Sequence, residues 1–120
     1  MKIGTDIIQI ARIEKLINKY GDTFKKKYLS QEEINRTKTI ASLAGLWAAK
    51  EAIAKALGCG ICAELTFQDI IISKNHRGAP HFTLTPKAQK VHPIIHSSLS
   101  ISHDGGFAIA VVAIRTGNLQ

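Results

Sequence analysis

Between residues 2 and 10 the apolar and polar positions sort by twos. Asp6, Ile8 and Ile10 fall on one face of an extended segment, and Thr5, Ile7 and Gln9 on the other. The alternation predicts a first strand. From Ala11 the period lengthens: Ile13, Leu16 and Ile17 make a helical stripe that runs to Tyr20, and Gly21-Asp22 punctuates its end. A short helix over residues 23–28 follows. Ser30 and Glu33 have the spacing of a capping box, in which each side chain satisfies a free backbone N–H at a helix start, so a third helix begins there. The strongest helical signal covers residues 40–57. It is alanine-rich, interrupted only by Gly45, and stopped by Gly58 and Gly60. Its apolar positions cover much of the circumference, which predicts a largely buried central helix whose small residues allow close approach.

The second half reads as strands. Residues 67–73 and 80–84 flank Lys74-Asn75-His76-Arg77-Gly78 as a hairpin, with Pro80 at a strand start. Residues 86 to about 94 form a helix with proline in its first turn, limited by Pro93. Two last strands, 97–102 and 107–114, are separated by His103-Asp104-Gly105-Gly106. The order predicts an α+β fold, a compact single domain over residues 1–120 with antiparallel strands around a long central helix.

Charge narrows the partners. Sixteen Lys and Arg against nine Asp and Glu give a net charge of +7, which favours capture of anions. Nucleic acid, a phosphate-rich cofactor and an acidic protein all satisfy that demand. Aromatic residues make up 6% of the chain and do not interleave with the basic ones as base-stacking platforms do, which argues against nucleic acid. No apolar run approaches the roughly 20 residues of a membrane span, and the N-terminus lacks the regions of a signal peptide, so no membrane partner and a cytoplasmic location are expected. Cys59 and Cys62 form a lone C-x-x-C pair without the second pair of a zinc site, and are expected as small half-buried side chains in a reducing compartment.

Two carboxylates stand in places that cost free energy unless compensated: Asp6 inside an apolar strand, and Glu51 in the alanine-rich helix. Two hard oxygens completed by phosphate oxygens and water make the sparse site that Mg²⁺ prefers. Spacing alone also allows Glu51 to pair with Lys55 on the helix surface, and Asp6 to serve as a turn or cap carboxylate. Ser102-His103-Asp104 does not form a hydrolytic triad, because adjacent residues of an extended segment point in different directions.

Three segments, Gly4-Thr5-Asp6-Ile7-Ile8-Gln9-Ile10-Ala11-Arg12-Ile13, Trp47-Ala48-Ala49-Lys50-Glu51-Ala52-Ile53-Ala54-Lys55-Ala56-Leu57-Gly58 and Ser100-Ile101-Ser102-His103-Asp104, resemble the marks of the phosphopantetheinyl transferase superfamily, and of its short acyl-carrier-protein synthase branch. The resemblance spans essentially the whole chain. It implies the phosphopantetheinyl transferase fold assembled as a homotrimer, with active sites between neighbouring subunits. It implies transfer of the phosphopantetheine arm of coenzyme A to a serine of acyl carrier protein, with Asp6 and Glu51 as Mg²⁺ ligands and Glu51 and Lys55 as catalytic residues. Lys50, Lys55 and His103 are then candidates for the coenzyme A phosphates, and Arg12 for docking the acidic carrier, its basic surface extended by Lys15, Lys19 and Lys25-Lys26-Lys27. Two positions depart from the family pattern: Leu46 where arginine is usual and Ala79 where lysine is frequent. Lys74 and Arg77 are the cations placed to compensate.

Overall fold

The computed structural model describes residues 1–117. Strand β1 (Lys2–Gln9) leads directly into helix α1 (Ile10–Tyr20), followed by α2 (Asp22–Tyr28), α3 (Gln31–Arg36) and the long α4 (Ile40–Ala56). A 3-10 turn (Phe67–Asp69) precedes the hairpin of β2 (Ile70–Lys74) and β3 (Pro80–Leu84). Helix α5 (Pro86–Val91) and the strands β4 (Ile94–Asp104) and β5 (Phe107–Thr116) complete the chain. A three-stranded antiparallel sheet has the order β1-β5-β4, and β2-β3 form a separate two-stranded sheet.

The alternation expected for the first strand holds. Gly4 and Ile8 are buried and Asp6 is half-buried on the face toward α4, while Ile3, Thr5, Ile7 and Gln9 are exposed on the other. Gly4 is required by close approach. A Cβ there would collide with the carbonyl oxygen of Ala52 and stand 2.8 Å from the Ala56 nitrogen, so α4 lies almost backbone to backbone on β1. Alanine serves the same end along α4, where Ala44, Ala48, Ala49, Ala52, Ala54 and Ala56 are all buried. The capping box at α3 is also present, with the Glu33 N–H donating to Ser30 Oγ and the Ser30 N–H to Glu33 Oε1.

The second half departs from expectation at three boundaries. Residues 67–69 turn as a 3-10 helix before the strand begins, because the Asp69 carboxylate accepts from the Thr66 N–H and hydroxyl and closes a capping box. Helix α5 stops at Val91, two residues before Pro93, whose ring disfavours helical backbone at His92. The residues after Pro93 join β4, which is longer at both ends than the sequence pattern suggests.

Candidate active site

Asp6 projects from β1 on the face that meets the C-terminal half of α4, where Glu51 and Lys55 lie one helical turn apart. Lys55 Nζ donates to Asp6 Oδ1 at 2.7 Å and to the Thr5 carbonyl oxygen at 3.2 Å. The helix-surface pair of Lys55 with Glu51 that spacing allows does not form; Lys55 reaches across to the strand instead. Glu51 takes part in no ion pair among the described residues. Burial, and then the negative charge of Asp6, push its carboxyl above the ordinary glutamate range, and Lys55 only partly offsets them. The arrangement is two carboxylates close enough to repel, one of them unpaired, with a cation at their edge.

These residues fit a small hard cation. Asp6 and Glu51 supply two anionic oxygen donors on rigid elements, and a divalent ion between them would relieve the repulsion that raises Glu51. No cluster of three or more His, Cys, Asp and Glu occurs among the described residues, so an ion held here would draw its remaining donors from outside these two carboxylates.

His103 is not part of this group. Its register partner is Ala108, and it lies near the end of β4, on the opposite edge of the sheet from β1. There it lines a cavity of about 600 Å³ with Ser42 and Leu46 of α4, Arg36 and Lys38, and Lys74, Gly78 and Pro80 of the hairpin. Arg36 and Lys38 escaped the sequence reading; only the turn from α3 into α4, which the capping signals mark without fixing its path, brings them to this wall. Of the two cations placed to compensate for Leu46 and Ala79, Lys74 lines the cavity and Arg77 does not. Leu46 is half-buried against the core at the cavity wall. Ala79 is exposed in the hairpin turn, its N–H donating to Asn75 Oδ1.

The structure removes Lys50 from the phosphate ligands. It is neither a solvated lysine nor a member of the cavity: its side chain is fully buried, and Nζ donates to Glu33 Oε1 at 2.9 Å and to the Phe67 carbonyl oxygen at 3.1 Å. One residue from Glu51, it is turned about 100° around the helix, into the core rather than toward β1. Burial pulls its ammonium down from the ordinary lysine range while Glu33 pushes it back. Only the position of Glu33, 17 residues away in the chain, reveals that this lysine points inward.

Arg12 is exposed on α1, where Lys15 and Lys19 follow at helical spacing to make a basic stripe. Lys26 and Lys27 are exposed on α2, and Lys25 lies 3.9 Å from Asp22. Cys59 and Cys62 are free thiols; Cys59 is exposed rather than half-buried, its sulfur 3.9 Å from His92 Nε2.

Known proteins are similar to this chain over nearly its whole length. The model of the 4′-phosphopantetheinyl transferase superfamily matches residues 2–112. A holo-[acyl-carrier-protein] synthase of Sulfurovum sp. is 68% identical over 114 residues, covering 95% of this chain and 96% of that protein. Among solved structures, the Helicobacter pylori holo-[acyl-carrier-protein] synthase in complex with coenzyme A has a TM-score of 0.90 at 46% identity, covering 94% of this chain and 99% of that one. A Bacillus anthracis holo-(acyl-carrier-protein) synthase in complex with coenzyme A (3′,5′-ADP) has a TM-score of 0.79 at 36% identity, covering 98% of this chain and 96% of that one. With the family pattern matched from the first strand into the last, the chain belongs to the 4′-phosphopantetheinyl transferase superfamily.

Proposed function

We propose that the protein transfers the 4′-phosphopantetheine arm of coenzyme A to a serine of apo-acyl carrier protein, in a Mg²⁺-dependent reaction that releases adenosine 3′,5′-bisphosphate. The observation that carries the reading is the carboxylate pair Asp6 and Glu51 with Lys55 at its edge, in a chain so similar to proteins named for this activity. Both substrates are anionic, in keeping with the net charge of +7. A reaction between coenzyme A and a carrier protein belongs in the cytoplasm, and no helix of the described residues is long and apolar enough to cross a membrane.

Asp6 and Glu51 would hold the metal, which supplies neutralisation of the diphosphate and polarisation of its phosphorus. The serine Oγ attacks the β-phosphorus, the bond to the bridging oxygen breaks, and the nucleotide leaves with the electron pair. The serine proton needs an acceptor at this end of α4. Glu51 and Lys55 are the two candidates that this chain supplies there. Lys55, its ammonium half exposed and its bond to Asp6 exchangeable, is placed to meet charge growing on the leaving group. His103 with Arg36, Lys38 and Lys74 gives the cavity at the other sheet edge a cationic lining suited to nucleotide phosphates.

The carboxylates and that cavity belong to opposite edges of one sheet, β1 and β4, so the two halves of the proposed site are set apart within one chain. A neighbouring copy brings them together. The outer face of the sheet is apolar: Ile7 pairs with Ile109 and Thr5 with Val111, and Ile3 and Ile7 are 66% and 59% exposed. Such a face needs a cover, and a second and third copy in a closed ring supply it. The assembly is a homotrimer, with each site between neighbours. Arg12 and its basic stripe, close in the chain to Asp6, dock the acidic carrier so that its serine reaches the metal end.

Mass spectrometry of apo-acyl carrier protein after incubation with this protein, coenzyme A and Mg²⁺ tests the reading. A gain of the phosphopantetheine mass supports it; an unmodified carrier with coenzyme A intact contradicts it.

A further inference from the structure

The largest fully buried side chain of α4 is charged. Around Lys50 the buried surface of the helix is mostly alanine and Gly45, which permits close packing but offers few projecting side chains to resist rotation or sliding. Lys50 supplies what alanine lacks, namely bonds with direction. Its Nζ reaches Glu33 Oε1 and the Phe67 carbonyl oxygen, and Glu33 is itself held from two more directions, by the Ser30 N–H at 2.8 Å and by the Ile72 N–H on Oε2 at 2.9 Å. The pair therefore ties α4 to the start of α3, to the 3-10 turn and to β2. Every buried side-chain nitrogen and oxygen among the described residues has a partner, so the network is closed.

Two neighbours make this more than packing. Glu51 follows Lys50 in the chain, so any rotation of α4 about its axis carries the Glu51 carboxylate relative to Asp6 on β1. Glu33 also lines the cavity that holds His103. We propose that the Lys50–Glu33 pair is the positioning element of the active site, fixing the rotation of α4 so that Glu51 faces Asp6 while the same glutamate holds the wall of the opposite half-site. Both side chains are sealed from water and act through the residues they hold. The consequence for turnover rests on the transfer reading above; the consequence for the placement of Glu51 does not.

The test uses the full chain with Glu33→Gln and Lys50→Met together, which removes both charges while keeping volume, so that no lone ion is left buried. Two quantities are read: the contacts of the Glu51 side chain with β1, as nuclear Overhauser effects without metal or substrate, and kcat beside the carrier KM in the Mg²⁺-dependent assay. The expected variant is folded and assembled like the wild type, its Glu51 loses contacts with β1, and kcat falls on the order of tenfold to a hundredfold, as misplaced catalytic groups do. The carrier KM stays within about twofold, because the docking surface is untouched. A folded double variant with wild-type contacts and wild-type kcat overturns the proposal. Should the double variant fail to fold, Glu33→Asp, which keeps both charges but shortens the reach to α4, is read in the same way, and wild-type values for both quantities overturn it equally. If the wild type itself transfers nothing while the Glu51 contacts still change in the variant, the transfer reading falls and the positioning role stands.

Discussion

Helix α4 carries two lysine–carboxylate pairs of nearly equal length and opposite character. Lys50 meets Glu33 at 2.9 Å with both side chains sealed from water, at 0% and 1% exposure, whereas Lys55 meets Asp6 at 2.7 Å with 53% and 14% exposed. Distance does not separate them; surroundings do. The inner pair has a partner at every nitrogen and oxygen and no contact with water, which suits it to holding structure in place. The outer pair is wet and incomplete, with an unpaired Glu51 beside it, and a carboxylate whose ammonium partner can be exchanged is available to a metal or a substrate. Five residues of one helix thus pass from scaffold to chemistry.

The largest break comes at the outer pair. Asp6→Ala or Glu51→Ala should each lower transfer on the order of a thousandfold or more with the fold preserved, since each removes a proposed metal ligand rather than core volume. Circular dichroism beside the carrier mass assay checks both halves of that statement.

Next is the contrast itself. Lys50→Ala leaves Glu33 buried without its counter-charge and should cost about 3–5 kcal/mol of stability, whereas Lys55→Ala should cost under about 1 kcal/mol in urea unfolding. Activity should invert the order among folded molecules, with Lys55→Ala impaired in turnover despite near-native stability. Equal stability losses for the two would erase the distinction.

A smaller effect follows from the raised carboxyl of Glu51. Its folded value lies above its unfolded one, so its contribution to stability is full below the ordinary glutamate range and is lost as pH rises through the raised value. Activity needs the carboxylate, and because a bound divalent ion relieves the repulsion from Asp6, activity should rise at lower pH than this metal-free window. Glu51→Gln should therefore be inactive yet more stable than the wild type at neutral pH, with the difference vanishing in acid. Thermal unfolding across pH reads this directly.

The mildest change is at the surface. Arg12→Glu should lower carrier-dependent kcat/KM about tenfold while coenzyme A binding by calorimetry stays unchanged, and salt should weaken the wild type through the same contact.

Much of this was legible in the chain because period and punctuation agree: the alternation of β1, the capping box at Ser30 and the alanine run of α4 each point to one local structure. Asp6 and Glu51 could be singled out because charge in an apolar context is costly, and Lys55 by its place one helical turn from Glu51 and by the family resemblance. Three things were hidden. Lys50 was misread because its partner is 17 residues away and joins it only when α3 folds against α4. Arg36 and Lys38 reach the cavity wall through a turn whose path no local signal sets. The 3-10 turn at Phe67 displaced the start of β2 because the Asp69 carboxylate, held by Thr66 and Thr85, outweighs the strand preference of the residues around it.

The central claim is that each site is completed between copies, with Asp6 and Glu51 given by one chain and the His103 cavity by its neighbour. Co-expressing the Asp6→Ala and His103→Ala chains tests it most directly, each being inactive alone. Random assembly in a closed ring leaves both halves intact at about a quarter of the interfaces, so transfer should return to about a quarter of the wild-type level. No recovery in verified mixed assemblies would place both halves in one chain and contradict the account.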